Sequence, residues 1–484
     1  MLFRSDPILP DIKEKVQING LSQPGYVDHP VVQLTGTFAN DSLPVRGLTI
    51  ATSDVTIRGL AITKFSGAIS IFSSTQATNN NSIESCYIGL NADGTFDQTA
   101  TALIGVAIST NSAQNNTIGS SYNGNVISNN TVGIVIAGPG VKNNSVLGNR
   151  IGTDPSGTTA IPNGDGIIIG SNTQGNVVGG ELDGDANVIS GNASNGISIG
   201  TGAFNNKVQG NYIGTRADGM FSLPNGEQGL ELISNAHDNT IGGTFNYRNV
   251  IGPNNGSGNP ATATAVVVAA TANSNTIVGN YVGMNKDGTE GLGGVAGISV
   301  GGSGNTIGGD PNSPNVFGVG QIAIYLGTDG ATAATGNKIS YNRVGLRADG
   351  NAPAGAAIGV LLQGEVNNTD ISNNTIAGNG TFGIVVKDGP TTTRITQNKI
   401  GTDPTGNIAV PNGAGLLIYK SQNNSIVSNV ISGNTAFGIF IGEDFESILQ
   451  IPTALKSTLT DLAPKHRPLG SNQFTSGNTV SSNR

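Results

Sequence analysis

Short aliphatic runs alternate with corners of Gly, Asn, Ser and Asp along most of the chain. One cycle comprises a Gly-Ile-x-Ile run followed by two Asn-x-Val/Ile runs, and it takes 23 to 36 residues. Runs this short, rich in β-branched residues and bounded by turn-forming residues, predict β-strands joined by tight turns. Runs of the Gly-Ile-x-Ile type begin at Gly133, Gly196, Gly229, Gly297, Gly383 and Gly438.

A longer repeat spans two of these cycles. Its most recognisable segment reads NKVQGNYIGTRADG from Asn206 to Gly219, and related segments recur along the chain. An aliphatic residue before a repeated Gly marks each copy, and successive markers are 56 to 69 residues apart. Repetition at a near-constant period predicts a solenoid, in which each unit contacts only its neighbours. The markers are Ile88, Ile151, Ile213, Val282, Val344 and Ile400.

The fold predicted from these repeats is an all-β, right-handed parallel β-helix with three short strands per coil. Inward aliphatic residues with Gly or Asn at each corner suit strands that pair in parallel with their counterparts in the next coil, and about a dozen coils are expected. Parallel crossovers make such a coil right-handed. Repeated corner Asn residues should stack as side-chain amide ladders.

Two other repeat architectures fit less well. Six units of this length could be propeller blades, but blades need longer antiparallel strands and periodic aromatic residues. Aromatic residues are only 5% of the chain and Trp is absent. A calcium-binding β-roll would need nine-residue Gly- and Asp-rich repeats, which the sequence lacks.

The repeat pattern divides the chain into four segments. An N-terminal start of the β-helix is followed by the repeat region with its six two-coil units, an inserted and partly helical loop, and a truncated last coil. These segments are 1–72, 73–442, 443–472 and 473–484. The inserted loop is expected to lie against outward apolar residues or across the terminal coil, because open coil ends and bare apolar surface favour aggregation. Those outward residues are Val385, Leu417 and Phe440.

Composition narrows the range of partners. Charged residues make up 11% of the chain, and a net charge of -8 with an isoelectric point near 4.9 disfavours nucleic acid. The apolar stretch from Ala261 to Ala272 is shorter than the ~18 residues that a membrane span needs. Met1 to Pro7 lack the apolar core of a signal peptide. Cys86 stands where other repeats have Asn, so a small inward-facing side chain is expected.

Several short sequence segments resemble those of the right-handed β-helix repeat proteins of bacterial cell surfaces and secretions. They are INGLSQPGY near the start, IGTDPSGT at Ile151 and NVISGN at Asn187. The resemblance extends from about Val16 to Gly442. It implies an extracellular or surface location and a shape shared with pectin lyase-like enzymes. Most such repeat proteins have no assigned activity, and a shared fold does not by itself define a function.

Catalytic groups of pectin-active enzymes are not recognisable in the sequence. The polygalacturonase set of paired aspartates, Gly-His-Gly and Arg-Ile-Lys is missing. The x residues of the Gly-Ile-x-Ile runs should point outward, and they include one acid, Glu231, whereas glycoside hydrolysis needs two carboxylates. Glu231 and His237 are the candidate general acid or base, with scattered surface polar residues as the alternative. The apolar x residues predict a surface for self-association, as do the open coil ends.

A row of aromatic and basic residues on the two-coil repeat is the predicted ligand-binding strip. Members precede the marker residue or follow it by three to four positions, so they should face solvent. Successive members should be roughly 9.6 Å apart, since two coils separate them, and this suits a linear, acidic glycan. Ordinary surface decoration is the alternative. The strip comprises Tyr212, Arg216, Tyr281, Lys286, Arg343 and Arg347.

Cofactor signals are weak. Asp183 and Asp185 alternate as oxygen ligands would in a calcium loop, but they fall far short of a complete one, and an ordinary acidic turn is the simpler interpretation. No other cofactor is indicated. The resulting hypothesis is an extracellular or cell-surface β-helix with a structural, adhesive or glycan-binding role. The alternative is a polysaccharide lyase or glycoside hydrolase of the same shape.

Overall fold

The structure is a computed structural model that describes residues 2–4, 9–36, 46–97, 102–109, 112–254, 264–327, 332–442, 473–474 and 479–481. The chain divides into two compact units. The first comprises Met1–Gly242 and Asn246–Gly258, and the second comprises Gly243–Phe245 and Asn259–Arg484. Both consist mainly of short strands, which confirms the predicted all-β class. Across the described ranges, no helix combines the length and the apolar character that crossing a bilayer requires.

In the first unit the strands form three parallel sheets, which we name A, B and C. Sheet A comprises Leu2–Arg4, Val32–Thr35, Leu60–Thr63, Tyr87–Ile88, Val126–Ile127, Arg150–Ile151, Val188–Ile189, Tyr212–Ile213 and Val250–Ile251. Sheet B comprises Arg46–Ile50, Gly67–Ile71, Ala102–Ser109, Asn130–Ala137, Asp165–Gly170, Ile197–Ile199 and Leu230–Leu232. Sheet C comprises Gln17–Asn19, Thr56–Arg58, Ser82–Glu84, Thr117–Ile118, Ser145–Val146, Val177–Val178, Lys207–Val208 and Thr240–Gly242.

The second unit has the same organisation. Its sheet A strands are Tyr281–Val282, Val316–Phe317, Arg343–Val344, Thr375–Ile376, Lys399–Ile400, Val430–Ser432 and Thr479–Ser481. Its sheet B strands are Thr264–Val268, Ala296–Val300, Ile322–Gly327, Ile358–Gln363, Phe382–Lys387, Ala414–Tyr419 and Ile439–Gly442. Its sheet C strands are Thr276–Val278, Thr306–Gly308, Lys338–Ser340, Asp370–Ser372, Arg394–Thr396, Ser425–Val427 and Gln473–Phe474. Ala334–Thr335 and Val366–Asn367 form a separate parallel pair.

The order of the strands defines a parallel β-helix. Within each unit the chain repeatedly visits sheet C, then A, then B, and every strand pairs in parallel with its counterpart one coil away. Among the described residues the sheet B strands number 14, slightly more than the expected dozen coils. Parallel pairing excludes propeller blades, which are antiparallel. The predicted right-handed parallel β-helix is thus confirmed, and its handedness is that of nearly all parallel crossovers.

The core lies inside the coils and is built from stacked aliphatic residues. Ile127, Ile151 and Ile189 are in register on consecutive sheet A strands, and all three are completely buried. Similar rows line sheets B and C. Each fully buried side chain of this size contributes roughly 1.5–3 kcal/mol of transfer free energy. Burial of the inward-facing aliphatic side chains, which are every second residue of a strand, therefore stabilises the coils.

Corner Asn residues form the amide ladders that the sequence predicts. Asn149 Nδ2 donates to Asn187 Oδ1 at 3.0 Å, and Asn187 Nδ2 donates to Asn211 Oδ1 at 2.9 Å. Comparable ladders precede the strands of all three sheets, and their members are buried. Cys86 occupies such a corner and is buried, as expected, with its N–H donating to Asn125 Oδ1. Burial raises the pKa of the Cys86 thiol to about 12.

Hairpin excursions explain why the sequence repeats every two coils. Between sheets A and B, coils that make a short turn alternate with coils that form a hairpin, and each hairpin is closed by an antiparallel bridge. Successive hairpins also contact each other, since Ala217 N–H donates to the Gly157 carbonyl at 2.9 Å and Ala348 N–H to the Gly288 carbonyl at 2.8 Å. The bridges are Thr153–Ala160 and Thr215–Ser222 in the first unit, and Met284–Gly291, Leu346–Pro353 and Thr402–Ala409 in the second.

The described part of the C-terminal region consists of strands of the final coil. The inserted loop 443–472 lies outside the described residues, so its helical content and its predicted packing stay predictions. Two strands of the final coil are described, and they pair in parallel with Ser425–Val427 and Val430–Ser432. Short 3-10 helices in the described ranges lie at Gly20–Ser22, Asp183–Asp185 and Phe245–Tyr247.

Candidate functional site

The predicted ligand strip does not form a continuous solvent-facing row. Tyr281 is only 6% exposed and packs against Met284 and Val316, beneath the hairpin that follows its strand. Tyr212 is half-buried. The expectation that these positions face solvent is therefore wrong for Tyr281. The physical reason is that each hairpin folds back over the strand from which it leaves and buries the aromatic ring.

The cations of the strip divide into two groups. A guanidinium N–H of Arg343 donates to the carbonyl of Ala348, so this side chain holds its own hairpin in place. Arg216, Lys286 and Arg347 are exposed. The Arg216 guanidinium lies 5.5 Å from the centre of the Phe221 ring, at a distance typical of a cation–π contact. The exposed members are thus the part of the strip that a glycan could reach.

The outward apolar residues of sheet B in the second unit are largely shielded from water. Val385 and Leu417 are completely buried, and they belong to an apolar cluster with Phe382 and Leu361. Phe440 is half-buried and packs against this cluster. Val385 and Leu417 are thus covered, in part by the apolar side chains that they pack against. Their predicted contact with 443–472 stays a prediction, because that segment lies outside the described residues.

Polar groups gather on the outward face of sheet B at the last three strands of the first unit. We call them the Glu231 cluster, comprising Asp165, Asn195, Ser198, Glu227 and Glu231. Ser198 Oγ donates a hydrogen bond to Glu231 Oε1, and Asn195 Nδ2 donates to the same oxygen at 3.1 Å. Asn195 N–H donates to Asp165 Oδ1 at 3.2 Å. One asparagine thus connects two carboxylates.

Parallel register creates the cluster. Ile168, Ser198 and Glu231 are aligned on consecutive coils, each as the x residue of its Gly-Ile-x-Ile run. Asp165 begins the strand of Ile168, three residues earlier. The loop before Leu230–Leu232 adds Glu227. Groups separated by up to 66 residues in sequence therefore meet because coils stack at the strand spacing of about 4.8 Å.

Electrostatics distinguish Glu231 from the other acids. Burial of this half-buried carboxyl raises its pKa above the ordinary value, and the negative charges of Asp165 and Glu227 act in the same direction. The hydrogen bond from Ser198 opposes them without reversing the shift. Glu231 is therefore more readily protonated than an exposed glutamate, a property that suits a hydrogen-bond donor or a general acid.

His237 lies apart from this cluster. Its ring stacks on that of Phe204, with 5.1 Å between centroids and 6° between planes, and its Nδ1 is 2.8 Å from Asp238 Oδ2. It follows the turn after the sheet B strand, in register with Phe204. No described contact joins His237 to Glu231. The structure therefore does not assemble the two candidate residues into one acid–base pair.

The weak calcium candidates serve the local turn. Asp185 accepts hydrogen bonds from Ser121 Oγ and from Leu182 N–H at the 3-10 helix, and Asp183 is exposed. Within the described ranges, no group of three or more His, Cys, Asp or Glu side chains could hold a metal ion.

Sequence reasoning missed Asp165 and Asn195 as partners of Glu231. Neither residue is the x residue of a Gly-Ile-x-Ile run. A comparison of the x residues alone therefore finds only one acid, Glu231. A signal was available in the sequence, because Asp165 and Asn195 both stand directly before the Gly-Ile of their runs and so occupy equivalent positions on consecutive coils. Only the three-dimensional register shows that these side chains converge.

A sequence profile of the family described as "Periplasmic copper-binding protein (NosD)" matches residues 348–450. That stretch is less than a quarter of the 484 residues, so the match describes one part of the chain. No curated protein sequence matches.

Among solved structures, the chain is similar to the A-module of the mannuronan C-5 epimerase AlgE6 of Azotobacter vinelandii, with 9% identity, 94% and 85% of the two chains covered, and a TM-score of 0.27. It is similar to a mannuronic acid specific polysaccharide family 6 lyase from human gut microbiota (11% identity, 90% and 82% covered, TM-score 0.33). It is also similar to PfbA, a surface adhesin of Streptococcus pneumoniae (10%, 84% and 83%, 0.19). Likenesses of this size carry no argument about function. The strand order alone defines the class, which is that of the right-handed parallel β-helix proteins.

Proposed function

We propose that the protein is a periplasmic or cell-surface β-helix that binds a glycan, and that the Glu231 cluster is its binding site. The observation that carries this proposal is the network in which Asn195 contacts both Glu231 and Asp165 on an outward sheet face. Sugar hydroxyls donate and accept hydrogen bonds, and so do the amide, hydroxyl and carboxyl groups of this cluster. The description of the partly matching family as periplasmic supports the location.

Charge narrows the class of glycan. Asp165, Glu227 and Glu231 lie close enough for the first two to raise the pKa of the third. A uronic acid polymer would add further negative charge to this half-buried face, and like charges repel strongly where water is scarce. An uncharged glycan avoids this repulsion. We therefore propose that the Glu231 cluster binds an uncharged glycan. An acidic glycan would instead bind the exposed cations of the hairpins.

The first prediction concerns binding at this face. Asn195→Ala removes the side-chain amide that donates to Glu231, while the backbone N–H that donates to Asp165 remains. A lost hydrogen bond to a charged or polar partner costs about 1–3 kcal/mol. We expect binding of uncharged polysaccharides to weaken by about 10-fold or more, since about 1.4 kcal/mol corresponds to a factor of ten. Affinity electrophoresis in gels with and without mixed-linkage β-glucan, xylan, galactomannan or amylose measures this directly.

Ser70→Ala is the matched control, because Ser70 occupies the same outward row on another coil of sheet B in the same unit. It should bind like the parent. Equal retardation of all three proteins would show that the Glu231 cluster does not bind glycan. Absence of retardation by every polymer would favour a purely structural role.

A further inference from the structure

A cleft of about 570 Å³ opens in the second unit, at the corner where the chain passes from sheet A to sheet B. Its walls are the hairpins closed by Leu346–Pro353 and Thr402–Ala409, and its floor is the short turn 378–380 of the coil between them. We propose that this cleft, which we call the Asn379 cleft, binds an uncharged, linear glycan. It is a second binding site, built from other residues than the Glu231 cluster and independent of it.

An unpaired hydrogen-bond acceptor in the lining points to a ligand. Asn379 lines the cleft and is 1% exposed, and its Oδ1 is buried with no hydrogen-bond partner among the described residues. In the first unit the equivalent oxygen, Asn192 Oδ1, accepts the amide of Asn163 at 3.0 Å. Ala356 stands at the corner that Asn163 occupies there, and both carbonyls accept an N–H from the next coil. A buried acceptor without a donor is costly, so a ligand hydroxyl that donates to Asn379 Oδ1 gains affinity.

The other lining residues favour an uncharged ligand with both polar and apolar faces. None of the described residues that line the cleft has an ionisable side chain. Asn351 and Thr435 are exposed and offer an amide and a hydroxyl group to sugar hydroxyls, while Pro353 and Pro411 offer apolar rings to sugar C–H groups. A charged ligand would lose hydration in this cleft without meeting an opposite charge.

The length of the cleft suits a linear chain of sugars. Four consecutive coils contribute to the lining, from Asn351 to Thr435, and three coil spacings of about 4.8 Å amount to ~14 Å. An extended chain of β-linked sugars advances by roughly one coil spacing per unit. An extended peptide fits less well, because it needs free main-chain partners, and the N–H groups of Gly378, Gly380 and Gly413 already donate to neighbouring coils.

The test uses the full chain carrying Asn195→Ala, in which the proposed binding at the Glu231 cluster is already weakened. Saturation-transfer-difference NMR titrates cellotetraose, xylotetraose, mannotetraose, maltotetraose and a blocked, uncharged tetrapeptide of Gly and Ser. We expect a tetrasaccharide to bind and the peptide not to bind. Adding Ala356→Asn supplies the missing amide donor to Asn379 Oδ1, so it should weaken sugar binding by about 5- to 10-fold. Adding Gly380→Leu should abolish binding by filling the cleft, and a Cβ there would lie 3.8 Å from the Ala356 carbonyl oxygen, an ordinary contact.

Gly67→Leu in the same background is the matched control. A Cβ at Gly67, on sheet B of the first unit, would lie 3.5 Å from Ser70 Oγ, which is also an ordinary contact. This variant should bind like its Asn195→Ala parent, and circular dichroism melts verify that each variant folds.

Each outcome bears on one part of the proposal. Unchanged binding in Gly380→Leu, or no binding of any tetrasaccharide, overturns the Asn379 cleft as a site. Unchanged binding in folded Ala356→Asn overturns the contact with Asn379, and Gly380→Leu alone decides if that variant does not fold. Binding of the tetrapeptide in place of the sugars overturns the assignment to a glycan. None of these results tests the Glu231 cluster, which stands or falls with Asn195→Ala alone.

Discussion

Asparagine side chains connect the coils at the scale of single residues, and one ladder has a gap. Asn379 donates to Asn412 Oδ1 at 2.8 Å, but its own Oδ1 is buried without a hydrogen-bond partner. The equivalent corner of the preceding coil is Ala356, since Gly380 N–H donates to the Ala356 carbonyl as Gly413 N–H donates to that of Asn379. Alanine cannot supply the missing amide donor.

Ala356→Asn should close this gap. The new Nδ2 would donate to Asn379 Oδ1, and satisfying a buried acceptor contributes about 0.5–1.5 kcal/mol net. Urea unfolding should give a higher midpoint with an unchanged slope. Asn192→Ala, the reverse change in the equivalent ladder of the first unit, should lower the midpoint. An unchanged or lower midpoint for Ala356→Asn would mean that the corner has no room for the amide.

Residue identity predicts the ladders better than it predicts the cluster. Corner Asn residues recur at one place in each cycle, so their stacking follows from periodicity alone, and Cys86 could be placed by comparison with them. Glu231 was found in the same way, but Asp165 and Asn195 were not. Their contacts depend on side-chain direction across two coils, which the repeat pattern does not encode.

At the scale of elements, stacked hairpins cover the strand residues that the sequence placed in solvent. Gly288 lies in such a hairpin with φ +66°, and a Cβ there would meet the Cβ of Ala348 and would come within 2.7 Å of the Tyr281 ring. The hairpins were not predicted, because the residues that form their bridges vary between copies, as in Thr215–Ser222 and Met284–Gly291. Burial of Tyr281 follows from this missed element.

Gly288→Ala should be strongly destabilising, and Gly355→Ala is its matched control. Gly355 also has positive φ, +74°, but a Cβ there would meet nothing within 4 Å. Gly355→Ala therefore measures backbone strain alone, about 1–2 kcal/mol, while Gly288→Ala adds roughly 1–3 kcal/mol for crowding. Thermal melts should rank parent, Gly355→Ala and Gly288→Ala in falling order. Equal losses in both variants would show that the hairpins do not stack tightly.

At the scale of the whole molecule, a net charge of -8 opposes binding of an acidic polymer. Each of these three exposed hairpin cations is also followed by an acid one or two positions later in the sequence, as in Arg216 and Asp218, Lys286 and Asp287, and Arg347 and Asp349. Exposed ion pairs contribute only about 0.2–1 kcal/mol and are screened by salt. Any acidic glycan on these hairpins is therefore held weakly, by several small contacts along its length.

The last prediction isolates these cations from overall charge. Replacing Arg216, Lys286 and Arg347 together by Ala should lower the salt concentration at which the protein elutes from an acidic polysaccharide column, with melting nearly unchanged because all three are exposed. The control replaces Lys13, Lys15 and Arg46, which are also exposed, and it changes the net charge by the same three units. If both triple variants elute at the same salt concentration, net charge alone governs retention and the hairpin cations are surface decoration. A larger shift for the hairpin variant would instead locate the contact, since overall attraction to the column is equal in the two proteins.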